Sequence, residues 1–422
     1  MIDQIKNSGV DWIGKIPLEW NVKNIGNYFN QVKNKNQELT EQNLLSLSYG
    51  KIIRKNIKAS DGLLPENFSS YNIVKENDIV LRMTDLQNDK KSLRTGLVTE
   101  KGIITSAYIT LTCKSNVLDV INSKFIHYQL YAFDINKGFY GMGSGVRQNV
   151  NFDDIKTIKI VVPSYEKQQQ IVDFLDGTLE KIENIISDTQ QSIEELKKYK
   201  RSLITELVTK GLDKDVDMKD SGIEWIGNIP ANWNILKFGN VISIKSNLVN
   251  PDDYPNLQQV SPDDIEKDTG RLIKYKTVRE SGVSSNNYYF YKDQILYSKI
   301  RPKLNKVVIA PFDGLCSADI YPINTTENRE FLIYLMISHY FIHQISMVTA
   351  DRVKMPKVNR NELSNLIIVL PNKSEQNQIV NYLNDKLSTI NMIIKDKEQF
   401  ISELEQYKKS LIYEYVTGKK QV

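Results

Sequence analysis

The chain carries one plan twice. Residues 6–27 read KNSGVDWIGKIPLEWNVKNIGN and residues 219–240 read KDSGIEWIGNIPANWNILKFGN, an offset of 213 throughout. All four tryptophans, Trp12, Trp20, Trp225 and Trp233, lie in this motif. A second block follows in each half. Residues 158–209 begin IKIVVPSYEKQQQIVDFL and end YKRSLITELVT; residues 366–417 begin LIIVLPNKSEQNQIVNYL and end YKKSLIYEYVT, at an offset of 208 without a gap. A fainter match joins the middles, ENDIVLRMTDL (76–86) with KDQILYSKIRP (292–302) and GIITSAY (102–108) with GLCSAD (314–319). The order is motif, variable middle, helix, and then the same again, so the fold is built from two like units. Duplication in a purely structural protein would give the same order. Shared scaffolding around unlike middles suits two readers of two different targets.

From Glu166 to Val208 there is no proline, and apolar residues recur at 3-4 spacing: Leu175, Leu179, Ile182, Ile186, Ile193, Leu196, Leu203 and Leu207. The second copy places Leu383, Leu387, Ile390, Ile394, Ile401, Leu404 and Leu411 in the same frame, with Tyr415 last. Both copies break the seam at the same places, Thr189 and Lys200 in one, Lys397 and Lys408 in the other. Such spacing predicts a coiled coil. The second middle starts where the first helix ends and finishes where the second begins. A compact middle therefore predicts antiparallel helices, an intramolecular coiled coil and a pseudo-twofold α+β protein.

Each middle holds short β-prone runs broken by turn residues, such as IVKENDIVLRM, IITSAYITLTC, YYFYKDQILYSK and NKVVIAPF, and one helix, near Lys124–Asp134 and Arg329–Ile345. This pattern predicts mixed α+β domains. Basic residues gather in their loops: Arg82, Lys90, Lys91 and Arg94, then Arg147, in the first; Lys299, Arg301, Lys303 and Lys306, then Arg352 and Lys354, in the second. Arginine can hold guanine through two hydrogen bonds, asparagine or glutamine can do so for adenine, and lysine neutralises phosphate. Mixed with Asn, Gln and Asp, these residues suit base readout better than a plain polybasic tract, and they are the candidate DNA contacts.

No nucleotide-binding G-x-x-x-x-G-K-[ST] loop occurs, nor an Asn-Pro-Pro-aromatic tetrapeptide. GMGSG (141–145) does not sit in a βαβ context and reads as a loop. His339 and His343 are four apart without a third ligand, and PDDIEK (262–267) reads as a turn. No catalytic or metal residue is expected. The net charge of +4 permits nucleic acid without demanding it, and the two cysteines, Cys113 and Cys316, fit a reducing cytoplasm better than a disulfide framework. The longest apolar run, around Phe331 to Ile337, is too short to span a bilayer and reads as a buried helix.

KDSGIEWIGNIPANW, VPSYEKQQQIVDFLD, LPNKSEQNQIVNYLN, YKRSLITELVTKGLD and the terminal YVTGKK resemble type I restriction-modification specificity subunits, and the resemblance covers nearly the whole chain. It implies target-recognition domains at 1–160 and 219–370, a central conserved spacer helix at 161–218 and a C-terminal one at 371–422. It further implies a non-catalytic subunit that reads a bipartite, asymmetric site in double-stranded DNA and carries two methylation subunits, joined in the full complex by restriction subunits that translocate. S-adenosylmethionine, ATP and Mg are then expected in those partners and no cofactor in this chain. One departure is Glu166-Lys167-Gln168, where the second copy has Ser374-Glu375-Gln376. A two-headed architectural or regulatory DNA-binding protein is the alternative, distinguished by the lack of a methyltransferase partner.

Overall fold

A computed structural model describes residues 4–57, 67–84, 86, 89, 92–142, 150–245, 247–352 and 354–422. It divides into two compact units, Met1–Thr189 with Gln399–Val422, and Gln190–Glu398. Both divisions fall inside long helices, Tyr165–Lys210 and Lys373–Val416, of 46 and 44 residues.

The units share one strand plan. In the first, an antiparallel sheet runs in the order Phe29–Gln31, Ile109–Cys113, Ile79–Leu81, Thr95–Leu97; in the second the order is Ile242–Ile244, Ile320–Thr325, Ile295–Ser298, Val307–Ile309. One central strand of each carries an unbroken apolar run, Ile79-Val80-Leu81 and Ile295-Leu296-Tyr297, and every residue of both runs is buried, because both faces are covered. A further layer is five-stranded in the second unit: Leu248–Val249, Asn287–Phe290, Gly314–Cys316, Gln258–Val260, Lys276–Thr277. Its one parallel pairing, 258–260 with 314–316, reappears in the first unit as a parallel bridge between Leu44 and Ile103. Around that bridge lie Asn72–Val74 paired with Gly102–Ile104, and Leu45–Ser48 paired with Lys51–Arg54. The unlike middles thus fold alike.

The repeated motif is explained by what it packs on. Trp20 and Trp233 are buried, while Trp12 lies edgewise against Phe133 and Trp225 packs at a tilt against His343. Gly26 and Gly239 pass so close to the chain that an added Cβ would sit 2.7 Å from the Cβ of Lys156 and of Ser364 respectively. Only glycine permits that approach.

The repeated glutamine at the start of each long helix has one task in both copies. Gln168 accepts the backbone N–H of Asn122 at 2.9 Å and donates to the carbonyl of Pro163 at 3.0 Å. Gln376 accepts from Asn328 at 3.0 Å and donates to Pro371 at 2.9 Å. Asn122 and Asn328 in turn cap the helices Ser123–Ile135 and Arg329–Ile337. The departure beside this glutamine also has a consequence: Glu375 accepts the indole N–H of Trp233 at 3.0 Å, whereas Lys167 donates to the carbonyl of Val422 at 3.2 Å.

Within each unit the long-helix segments pack antiparallel and bury the 3-4 seam. In the first, Phe174 meets Tyr415 with ring centroids 4.6 Å apart, and Lys408 lies 3.3 Å from Glu183. In the second, Lys200 lies 3.0 Å from Asn391, and Leu203 and Leu207 share a core with Leu383 and Leu387. The expected single helix over 329–345 is two, Arg329–Ile337 and His339–Val348, bent by 62°. Ser338 adopts an extended backbone between them, and its side chain caps the second by accepting from Phe341. The run Phe331–Ile337 is largely buried, as expected. No single helix among the described residues is long and apolar enough to cross a membrane.

Candidate nucleic-acid interface

The loops that join the third and fourth strands of the two four-stranded sheets carry most of the candidate residues. Arg82 and Ser298 open them, and Arg94 and Lys306 close them. The register is the same in both, since Arg82 donates its N–H to the carbonyl of Arg94 and Ser298 to that of Lys306, at 2.8 and 2.9 Å.

Arg94 is placed differently from the sequence expectation. It is fully buried, its guanidinium donating to the carbonyls of Thr84 and Asp89 and lying 5.7 Å from the Tyr140 ring. It holds the loop from within. Its counterpart Lys306 also turns inward, donating to the carbonyl of Pro262 at 2.7 Å and reaching Asp263 at 3.3 Å. Here PDDIEK is a turn: Asp264 forms a capping box with Ser261. A cation at the start of the fourth strand is thus a brace in both units. Arg82 is half-buried and pairs with Asp89. Lys90, Lys91 and Arg147 lie outside the described residues.

In the second unit the loop is zipped to a distant segment. Arg301 donates its N–H to the carbonyl of Pro356 at 2.8 Å, Val358 donates to Lys299 at 2.9 Å, and Ile300 forms a bridge with Lys357. Two clusters that are about fifty residues apart in sequence thereby become one basic surface around a shallow cleft of about 430 Å³, lined by Lys299, Tyr321, Arg352, Lys354 and Lys357. Lys299 lies over the Tyr321 ring at 5.3 Å and 4.0 Å from Asp319; Lys357 reaches the same Asp319 at 3.1 Å. Arg352 is held by Glu362 and the carbonyl of Lys357, and its guanidinium keeps the Glu362 carboxyl below the usual carboxylate range. Arg352 therefore braces the surface.

Arg301 and Lys303 are exposed and form no side-chain ion pair among the described residues. Arg301 and Asn305 both take left-handed backbone angles, at φ +44 and +47. For residues other than glycine these cost of order 1 kcal/mol each and are held by the surrounding structure. The strained turn presents Arg301 and Lys303 outward. Sequence reasoning missed Lys357 and Arg360, the latter lying over the same Tyr321 ring as Lys299, at 5.6 Å. The recurrence of cations in DRVKMPKVNR (351–360) was the available signal.

The family model of the type I restriction modification DNA specificity domain matches residues 17–197 and 230–403. The EcoDI specificity subunit of Escherichia coli is 32% identical over 280 residues, 63% of this chain and 63% of that subunit's length, so the chain spans less than two thirds of that relative. The MjaVIII specificity subunit of Methanocaldococcus jannaschii is 24% identical over 434 aligned positions, 96% of this chain and 94% of that one. Among solved structures, a chain from a study of assembly and conformational transition in a type I restriction-modification system aligns with a TM-score of 0.71 at 13% identity, covering 96% of this chain and 99% of that one. The HsdS subunit from Thermoanaerobacter tengcongensis aligns at 0.54 and 13% identity, covering 96% and 98%. The duplicated fold and the two matched segments coincide, and the chain belongs to the type I restriction-modification DNA specificity family.

Proposed function

We propose that this chain is the DNA-reading subunit of a type I restriction-modification enzyme, that it recognises a bipartite asymmetric site, and that each unit reads one half. The observation that carries this reading is one strand plan bearing two chemically different loops at the same place. Residues 82–94 and 298–306 leave and rejoin the sheet in the same register but differ in length and composition. Equal scaffolds with unequal loops suit recognition of two unlike half-sites.

In this reading Arg301 is a base contact, since a guanidinium can grip guanine bidentately, and Lys303, Lys354 and Lys357 contact phosphate. Arg82, Lys90, Lys91, Arg147 and Lys299 remain candidate contacts, while Arg94, Lys306 and Arg352 act by holding the loops. The chain supplies no catalysis. Methylation subunits dock on it and bring S-adenosylmethionine, and restriction subunits bring ATP and Mg. The test is reconstitution: the purified chain should shift a bipartite duplex without methylating it, and methyl transfer should appear when a methylation subunit is added. Methyl transfer by the chain alone would overturn the assignment.

A further inference from the structure

Two internal correspondences meet at one place in each unit. Lys408 and Lys200 are equivalent in the repeated helices, 208 residues apart, as are Glu183 and Asn391. The hairpins supply the other. Gly50-Lys51-Ile52-Ile53-Arg54 and Gly270-Arg271-Leu272-Ile273-Lys274 each leave a turn through a glycine at φ +78 or +72. Each packs its first apolar residue, Ile52 or Leu272, against a core cluster and leaves Ile53 or Ile273 exposed. The cation after the glycine turns to the long helices in both units.

In the first unit that cation meets its counter-ion. Lys51 Nζ lies 2.9 Å from one oxygen of Glu183, and Lys408 Nζ lies 3.3 Å from the other. Burial raises the Glu183 carboxyl, but the hydrogen bond from Lys51 and the charge of Lys408 more than offset it and hold the group below the usual range.

In the second unit the carboxylate is replaced by an amide. Lys200 Nζ lies 3.0 Å from Asn391 Oδ1, and Arg271 lines the same cleft of about 680 Å³. Burial and then the charge of Arg271 hold the Lys200 ammonium below its ordinary range. Glu266 works in the other direction, but one of its oxygens is engaged by Thr269 Oγ at 2.8 Å. Asp268, also on the cleft, lies 3.8 Å from Lys267, and Glu398 lies beyond on the second long helix. Two cations therefore converge where the first unit has two cations and a carboxylate.

We propose that the cleft between Lys200, Arg271 and Asn391 binds a phosphate group, free or carried by the DNA backbone, beside the Asn391 amide, where it supplies the counter-charge that the Glu183 carboxylate supplies in the first unit. A guanidinium offers a fork of donors, an ammonium a mobile point charge, and a rotated amide a further N–H. The inference does not depend on DNA reading, because inorganic phosphate alone is a sufficient probe.

The experiment uses the full chain and calorimetric titration with inorganic phosphate at constant ionic strength, sodium chloride being the control. One saturable site is expected. Asn391→Glu, which installs the carboxylate of the first unit, should weaken it at least tenfold while leaving the melting temperature in phosphate-free buffer unchanged or higher. Arg271→Ala should weaken it similarly. Absence of saturable binding, or Asn391→Glu binding phosphate like the parent, overturns the proposal. The source follows from the salt dependence of DNA binding. If the group belongs to DNA, Asn391→Glu should lower the slope by about one; an unchanged slope with phosphate affinity lost identifies free phosphate.

Discussion

Asp134, near the end of the helix Ser123–Ile135, accepts the backbone N–H of Arg94 at 2.5 Å. This bond and the Arg94 guanidinium hold the 82–94 loop at two points, the first against a helix and the second against the carbonyls of Thr84 and Asp89. Arg94→Ala leaves those carbonyls without that partner, which costs about 2–4 kcal/mol. The expected result is a lower urea midpoint together with weaker reading of one half-site. Base-specific loss without loss of stability would instead make Arg94 a direct reader.

Asp134 and His127 give the first unit opposing pH responses. Burial raises the Asp134 carboxyl to about 6, the Arg94 N–H only partly offsetting it. Its folded value lies above its unfolded one, so its contribution to stability is most favourable in acid and declines as pH rises toward 6. Burial, aided by the Lys124 charge, pushes His127 down to about 4. Its contribution is fully present above about 6.5 and is lost as pH falls toward 4, because only the unfolded chain takes the proton. Asp134→Asn keeps the acceptor for Arg94 and should make stability rise more steeply with pH between 4 and 6. His127→Gln should tilt the same window the other way. Urea midpoints across pH 4–7, compared with the parent chain, decide both signs.

Glu183→Asn should leave Lys51 and Lys408 facing each other across an amide. Glu183 is substantially exposed, so the expected cost is modest, about 1 kcal/mol. Added salt should recover it. A melting temperature that is insensitive to salt in this variant, and equal to that of the parent, would show that the carboxylate contributes nothing to the pairing.

Arg301→Ala and Lys303→Ala separate base reading from phosphate contact. Arg301→Ala should relax discrimination at one or two positions of one half-site, by about 1–3 kcal/mol, while the other half stays readable. Lys303→Ala should weaken binding to every sequence alike and lower the salt slope by about one. Binding to a panel of half-site variants distinguishes them, and uniform loss for Arg301→Ala would place that residue on the phosphates.

The sequence by itself determined the architecture of this protein. The repeat at offsets 213 and 208 implied two units of one plan, and the 3-4 seam implied paired long helices, because periodicity and repetition are local properties of a chain. It also marked the cationic loops. Direction was decided only by the tertiary structure. Arg94 and Lys306 turn inward because the residue closing each loop is fixed by strand register, and no composition of the loop reveals that. Lys357 joins Lys299 because a bridge at Ile300 closes a gap of more than fifty residues. In sequence Glu183 and Asn391 are only unlike residues at equivalent positions of two similar helices. Packing sets each beside a lysine of the other long helix and a cation from the hairpin, Lys51 or Arg271, and their difference then becomes one of charge balance.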